Sequence, residues 1–193
     1  MNTYKLLVGA VVPRPIAFVS TISLEGVANL APFSFFTVAS ANPPVLCFTA
    51  SFREPRKDTL VNVRATKEFV VNIVSEEFAA KMNVTSGEYA YGVDEFAMSG
   101  LTPVASDLVR PPRVKESHVN MECTLLQTIE VSNQPMGGTL ILGEVVRFHV
   151  DDQIFEEFRI DPEKLGAVGR MAGNTYCRTR DRFELVRPTI VKQ

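Results

Sequence analysis

The sequence predicts a mainly β fold, an antiparallel barrel that is closed or nearly closed and flanked by a few short helices. One observation is the succession of apolar, β-prone runs at 14–23, 29–40 and 45–51. A second is the pair of long runs at 117–131 and 138–150, joined by the turn Asn133-Gln134-Pro135-Met136-Gly137. The third is that strands do not alternate with long helices and that no GxGxxG follows a strand. A doubly wound dinucleotide-binding domain is thereby disfavoured.

Residues 14–23 read as the first strand, and Leu24-Glu25-Gly26 as its turn, with Gly26 free to take positive φ. The run 29–40 mixes small residues and aromatics with Pro32, which has no donor for a ladder. Such a segment suits a backbone that turns toward a ligand instead of a neighbouring strand. Asn42-Pro43-Pro44 breaks the chain before the strand at 45–51. A short helix is expected over 59–64 with Asp58 as its N-cap, and 68–74 returns to strand. Ser75 is then expected to cap an acidic first turn, Glu76-Glu77, of a helix reaching Met82 or Asn83.

Residues 85–115 are the least regular, with several glycines and prolines and one short helix near 94–98; a lid or a dimer arm fits such a stretch, and the arm is preferred. The alternation over 143–150 is that of an antiparallel strand with its polar side out. Residues 182–187 alternate too and predict a last strand, ending at Pro188.

A chain of 193 residues is the size of one domain, and residues 1–193 are expected to form a single unit. Apolar residues make up 46% and charged residues 22%, as in ordinary soluble proteins, and a net charge of −2 argues against a nucleic-acid partner. No run approaches the roughly 18 apolar residues of a membrane helix. The opening Met-Asn-Thr-Tyr-Lys-Leu-Leu-Val-Gly-Ala does not read as a signal peptide, so a cytoplasmic location is expected. Cys47, Cys123 and Cys177 form no CxxC, and His118 and His149 flank a hairpin signal. No metal site is predicted from them, and the cysteines read as small buried hydrophobes.

The chain supplies no obvious catalytic side chains. GxSxG is absent, and the pairs Glu76-Glu77, Asp151-Asp152 and Glu156-Glu157 read as solvated helix or strand ends. Redox chemistry would have to come from a bound cofactor. Residues 29–37 offer small and aromatic side chains and main-chain groups at Ala31, Pro32, Phe33 and Ser34 for a flat ring; the plain alternative is a barrel strand with core phenylalanines. Ser51-Phe52-Arg53-Glu54-Pro55-Arg56-Lys57-Asp58-Thr59 then gathers three cations and two hydroxyls at a helix entrance. A phosphate there would meet free N–H groups, Lys57 and the Thr59 hydroxyl, with Asp58 capping the helix or orienting Lys57. An ordinary basic helix start is the alternative. Last, the glycine-dense stretch 166–176 precedes Arg178, Arg180 and Arg182; Arg170 and Tyr176 there could meet a cofactor or substrate, or belong to a plain surface loop. A flat shelf beside a phosphate grip points to a planar cofactor with a phosphate tail.

These elements, in this order, resemble the flavin reductase-like family of FMN-binding split-barrel proteins, which includes flavoredoxin and the reductase components of two-component monooxygenases. The carrying residues are Pro13-Arg14-Pro15-Ile16-Ala17-Phe18-Val19-Ser20-Thr21, Asn29-Leu30-Ala31-Pro32-Phe33-Ser34-Phe35-Phe36, Asn42-Pro43-Pro44, Lys57-Asp58-Thr59 with Asn62, Phe69-Val70-Val71-Asn72, Gly92-Val93-Asp94-Glu95-Phe96, Gly100-Leu101-Thr102 and Glu122-Cys123. The match covers roughly residues 10–188. The resemblance implies a homodimer with one FMN per subunit at or near the interface, the isoalloxazine lying along residues 31–34 and the phosphate near Ser51, Lys57 and Thr59. It implies that Thr37 and Thr49 face the ribityl chain or phosphate and that Ser20 and Thr21 line the pocket floor; Asn29 and Asp58 complete the expected cofactor set.

The resemblance also implies that FMN carries the chemistry, with hydride coming from NADH or NADPH and Arg170 and Tyr176 as substrate contacts. A monooxygenase or redox protein would take the electrons. The tail departs from the family pattern: Ala172 stands where a second Gly is common, and 166–182 holds no His. A flavoredoxin-type carrier that keeps its FMN, and a non-enzymatic ligand-binding barrel, are the other expectations.

Overall fold

The structure, a computed structural model, describes residues 3–189. Helix α1 (Thr3–Ala10) leads into β1 (Ala17–Ile22), β2 (Ala28–Phe33), β3 (Phe36–Ala41) and β4 (Pro44–Ser51). Then come α2 (Asp58–Thr66), β5 (Glu68–Ile73), a 3₁₀ turn (Glu76–Phe78), α3 (Ala79–Val84), α4 (Glu95–Ser99), β6 (Pro103–Val104) and β7 (Arg113–Val114). The long pair β8 (Val119–Glu130) and β9 (Gly138–Val150) is followed by a second 3₁₀ turn (Asp152–Ile154). Short β10 (Phe155–Glu156), β11 (Arg159–Ile160), α5 (Pro162–Leu165), β12 (Val168–Arg170) and β13 (Tyr176–Arg178) complete the fold. Among the described residues no helix is long and apolar enough to cross a membrane.

One antiparallel sheet of seven strands runs in the order β2-β1-β5-β8-β9-β4-β3. Its two edges, β2 and β3, are consecutive in the chain and separated only by Ser34 and Phe35. The sheet curls until the β2 edge approaches β4, where the Phe33 and Phe48 rings meet, and the Thr49 N–H donates to the Phe35 carbonyl at 2.9 Å, extending the β3–β4 ladder by one residue into the link. The expected single run over 29–40 is therefore two strands, on opposite sides of a split in the barrel. Pro32 suits the β2 edge, where a residue without an N–H breaks no ladder bond.

The inner core is aromatic and β-branched: Val19, Phe33, Phe48, Phe69, Val71 and Ile141 are all buried in it. Phe33 and Phe48 lie 5.0 Å apart between ring centroids, and Phe48 meets Phe69 edge-on at 5.5 Å. Gly143 is required where β9 passes Phe69, because a Cβ there would come within 2.2 Å of the Phe69 ring. A second cluster, with Phe18 and Leu30 from the sheet and Phe78, Met82 and Phe96 from the helical segments, covers the outside of β1, β2 and β5. Strands β1 and β5 are thus buried on both faces. Among the described residues the outer side of β3, β4 and β9 has no such layer of helices; those gather mainly on β1, β2 and β5.

Four local expectations are corrected. Lys57, not Asp58, is the N-cap of α2, and Asp58 is the first helical residue; its Oδ2 accepts the Gly92 N–H at 3.4 Å. The Ser75 hydroxyl makes no capping bond and is buried without a partner. Residues 182–187 form no strand; Phe183, Leu185 and Val186 are exposed, because among the described residues β13 pairs only with β12, whose other side is taken by Arg14 and Val74, and no further ladder reaches this stretch. The polar-out alternation over 143–150 also fails beyond Val145: a bulge opposite Glu122 and Cys123 leaves Val146 and Phe148 exposed and sets His149 against Glu122.

Glu122 fastens the irregular segment to the sheet. Its buried carboxylate accepts the N–H groups of Asp107, Leu108 and Val109 at 2.8, 2.7 and 3.1 Å and meets His149 Nε2 at 2.5 Å. Burial alone pushes this carboxyl up, but the Asp107, His149 and Leu108 bonds outweigh it and hold the group below its ordinary value. With a depressed folded-state value, the stabilisation is fully present above the unfolded-state carboxyl range and is lost as pH falls through the folded value. Glu122→Gln is expected to cost about 1.5–3 kcal/mol at neutral pH, the scale of hydrogen bonds to a charged group. It should also flatten the acid limb of urea-denaturation stability; a variant that loses stability in acid as steeply as the parent would refute the assignment.

Candidate functional site

Strand β2 presents two different surfaces because its side chains alternate. Asn29, Ala31 and Phe33 point one way, toward a narrow cavity also bordered by Arg53, Lys57, Thr59 and Glu95. Pro32 and Ser34 point the other way, into a cleft of about 280 Å³ that includes Arg14, Ile16, Arg170 and Tyr176.

The first surface rests on a buried polar network. Glu95, on α4, accepts both contacts of the Asn29 amide nitrogen, at 2.9 and 3.0 Å, and the Leu30 N–H at 2.9 Å. The Asn29 carbonyl oxygen accepts the Thr59 hydroxyl at 2.9 Å and the Thr21 hydroxyl at 3.2 Å. Asn62 donates to Thr21 in turn, at 3.1 Å. All five side chains are buried. Burial pushes the Glu95 carboxyl above its ordinary range, and the bonds from Leu30 and Asn29 only partly pull it back.

Above this network stand two cations. Lys57 Nζ lies 5.3 Å from the centroid of the Phe33 ring and, among the described residues, has no carboxylate partner in salt-bridge contact. Burial, then the Arg53 guanidinium, push the Lys57 ammonium below its ordinary range, against the pull of Glu88, Asp58 and Glu95. Arg53 Nε is buried with no hydrogen-bond partner. The third cation of the stretch, Arg56, turns away to Glu130 at 3.2 Å and stacks over Phe52. The first helical bonds of α2 run from Leu60 and Val61 to the Lys57 carbonyl, so the amides of Asp58 and Thr59 have no intrahelical acceptor. An orphaned guanidinium N–H, an unpaired ammonium and free amides around one cavity are a donor set for an anion.

The second surface brings Arg170 and Tyr176 to Pro32 and Ser34, 136 or more residues away in sequence. Antiparallel backbone bonds between Arg14 and Arg170, at 3.0 and 2.8 Å, place them there. The Arg170 guanidinium stacks on the Tyr176 ring at 4.5 Å, and Tyr176 Oη reaches Asn83 at 3.3 Å. Arg14 is buried and structural: it donates to the carbonyls of Val8, Val11 and Met171 and, at 3.4 Å, to the Ser34 hydroxyl.

The remaining predicted residues fall elsewhere. Thr37, Thr49 and Ser51 lie on the outer side of β3 and β4, alternating with the core residues Phe48 and Ala50. Ser20 is buried, and its hydroxyl donates to the Pro112 carbonyl at 2.5 Å, under the irregular segment. Main-chain donors along residues 31–34 are also fewer than the sequence suggests. Because the Leu30 N–H points outward to Glu95, the register gives the amides of Ala31 and Phe33 to Val19 and Ala17, and Pro32 has none. Sequence reasoning missed Glu95 and Arg53 as site residues. The signals for Glu95 were its place in a short, capped helix start, Asp94-Glu95-Phe96, and in one of the segments that carry the family resemblance.

The model of the flavin reductase like domain matches residues 8–181. An uncharacterized protein of Aquifex aeolicus is 46% identical over 178 residues, covering 91% of this chain and 89% of its own. Nitrilotriacetate monooxygenase component B from Bacillus cereus superposes with a TM-score of 0.92 at 38% identity, covering 95% of this chain and 93% of its own. The Pseudomonas fluorescens 2-nitrobenzoate 2-nitroreductase NbaA gives 0.89 at 31% identity, covering 100% of this chain and 94% of its own. With a split barrel, an anion-seeking cavity on one side of its edge strand and a sequence match over nearly its whole length, the chain belongs to the flavin reductase-like family.

Proposed function

We propose that this protein is a single-domain, FMN-binding oxidoreductase that takes hydride from NADH or NADPH and passes the electrons to a partner enzyme. The observation that carries the reading is the cavity with Lys57 and Arg53, two cations without an acidic partner in contact among the described residues, beside the free first-turn amides of α2. A single terminal phosphate satisfies that donor set, which favours FMN over an uncharged flavin. When bound, the flavin supplies a hydride acceptor at N5. The residues of the chain bind and orient: Lys57, Arg53 and the Asp58 and Thr59 amides hold the phosphate. The side chains of residues 31–34 support the ring, and the cleft at Arg170 and Tyr176 receives the hydride donor from the far side of β2.

Ser51, Thr49 and Thr37 fit the proposal through a second copy of the chain. They share the outer side of β3, β4 and β9 with Cys47, Leu140 and Leu142, a surface without a covering layer of helices. A homodimer formed there would set these hydroxyls at the subunit interface, beside the ribityl chain. The relative from Bacillus cereus, a monooxygenase component, supports a partner enzyme as electron acceptor. The second reading, a flavoredoxin-type carrier that keeps its FMN, is favoured by the lack of a His in 166–182, from which the cleft takes Arg170, Met171, Gly173 and Tyr176.

Lys57→Ala is expected to weaken FMN binding by about 1–3 kcal/mol, the scale of a charged hydrogen bond, as read by flavin fluorescence titration. Unchanged affinity removes Lys57 from the phosphate site. Ala31→Leu is expected to displace the ring by steric overlap, and a normal bound-flavin spectrum in that variant would place the shelf elsewhere. Steady-state oxidation of NADH or NADPH with added FMN separates the two readings: turnover with either supports the reductase, and none with both supports the carrier.

A further inference from the structure

The hydrogen-bond directions in the buried network conflict with the anion they adjoin. Ionised Glu95 has only lone pairs, so it draws the Asn29 amide N–H₂ toward itself. That leaves the Asn29 carbonyl facing Thr59, and the Thr59 hydroxyl proton is engaged there at 2.9 Å. Thr59 therefore offers the cavity an oxygen lone pair, although its neighbours Lys57 and Arg53 are donors. A phosphate oxygen needs the opposite. A neutral Glu95 reverses the chain: its O–H donates to the Asn29 carbonyl after the amide turns over, and its other oxygen still accepts the Leu30 N–H. The Asn29 nitrogen then donates to Thr59, whose proton is released toward the cavity, and the same half-turn of the Asn62 amide keeps Thr21 partnered.

We infer that Glu95 is a positioning residue that takes up a proton from solvent when the phosphate of FMN binds, turning the Thr59 hydroxyl from acceptor to donor. The inference rests on the flavin reading. Charge acts in the same direction, since an anion arriving near a buried carboxylate favours its neutral form. Other charged groups stand around Glu95: Asp58 at the start of α2 favours the neutral form, Lys57 favours the ionised form, Arg53 borders the same cavity with the same sign as Lys57, and Glu88 before α4 acts on Lys57. Strand β2 contributes no titratable group, and Asp94 is engaged as the cap of α4, accepting the Phe96 N–H. Among these groups Glu95 is joined to Thr59 through the single bridge of Asn29.

The test is calorimetric titration of FMN in two buffers of different ionisation enthalpy, which counts the protons taken up per ligand. Glu95→Gln mimics the neutral form, because its amide donates to the turned Asn29 while its carbonyl accepts from Leu30. Wild type is expected to take up more protons per FMN than Glu95→Gln, and its affinity should fall with rising pH while the variant holds its own. At pH 8 the variant should bind FMN tighter, by about tenfold for each unit by which the pH exceeds the free-state Glu95 value, up to the full shift that binding causes. Equal proton counts and parallel pH profiles overturn the inference. Should Glu95→Gln not fold, an infrared difference spectrum of wild type carrying ¹³C-labelled glutamate decides: a protonated-carboxyl band gained with FMN, and not with riboflavin, supports the switch. Absence of that band overturns it. Loss of FMN affinity in Lys57→Ala alongside equal proton counts leaves the flavin reading standing and sinks only the role of Glu95.

Discussion

The edge of β2 that faces away from β1 carries backbone groups with no strand to meet them, because the chain leaves at Ser34 and Phe35 for the opposite edge of the sheet. Unpaired edge groups must find other partners or stay in water. Here the Leu30 N–H is taken by Glu95 and Pro32 has none to offer. That one bond, with the two contacts from Asn29, draws α4 and the start of the irregular segment against the barrel. It also builds the floor of the cavity from Asn29 and Thr59. Without a split in the barrel there would be a ladder bond in place of Glu95 and no floor.

A buried carboxylate is costly unless hydrogen-bonded, and Glu95 is held by backbone amides and the Asn29 side-chain amide. No cation touches it among the described residues, while Lys57 and Arg53, one layer above, have no carboxylate in contact. Opposite charges are thus held near each other but kept from pairing, which leaves both donors and cations directed at the cavity. A direct salt bridge from Lys57 to Glu95 would have stabilised the isolated chain and closed the anion site. The apolar support under Lys57 is the Phe33 ring, so the same side chain that fills the inner core also lifts the ammonium to its place.

Much of the barrel was legible because its signals are periodic and local. The runs at 117–131 and 138–150 became β8 and β9 with nearly those ends, and the short helix near 94–98 became α4. The break at Ser34 and Phe35 was not legible, since both residues are tolerated in a strand and only the closure of the whole sheet decides which edge each half joins. Residues 182–187 show the reverse: alternation is present, but a strand needs a neighbour, and none is supplied. For the site, Lys57 and Thr59 were readable as types at a helix start, and Asn29 as the first residue of the run that became β2. Glu95 and Arg53 were not, because their meaning lies in burial and in hydrogen bonds to residues distant in the chain.

The two concavities beside β2 follow from a period of two residues and nothing more elaborate. Asn29 and Ala31 share the parity that faces the cations, and Pro32 and Ser34 share the parity that faces Arg170 and Tyr176. A flat molecule laid across the edge of such a strand meets both surfaces at once, its charged end on one side and its open face on the other. The parity also separates the tasks physically. Changes at Pro32 and Ser34 alter the cleft and leave the network of Asn29, Thr59 and Glu95 intact, whereas changes at Asn29 act on that network and changes at Phe33 on the inner core. A one-residue slip of β2 against β1 would exchange the two sets. The register Val19 to Ala31, fixed by Leu30 and Phe18 on the covered outer side and by Val19 and Phe33 in the inner core, is therefore what keeps an anion grip and a substrate cleft on opposite sides of one strand.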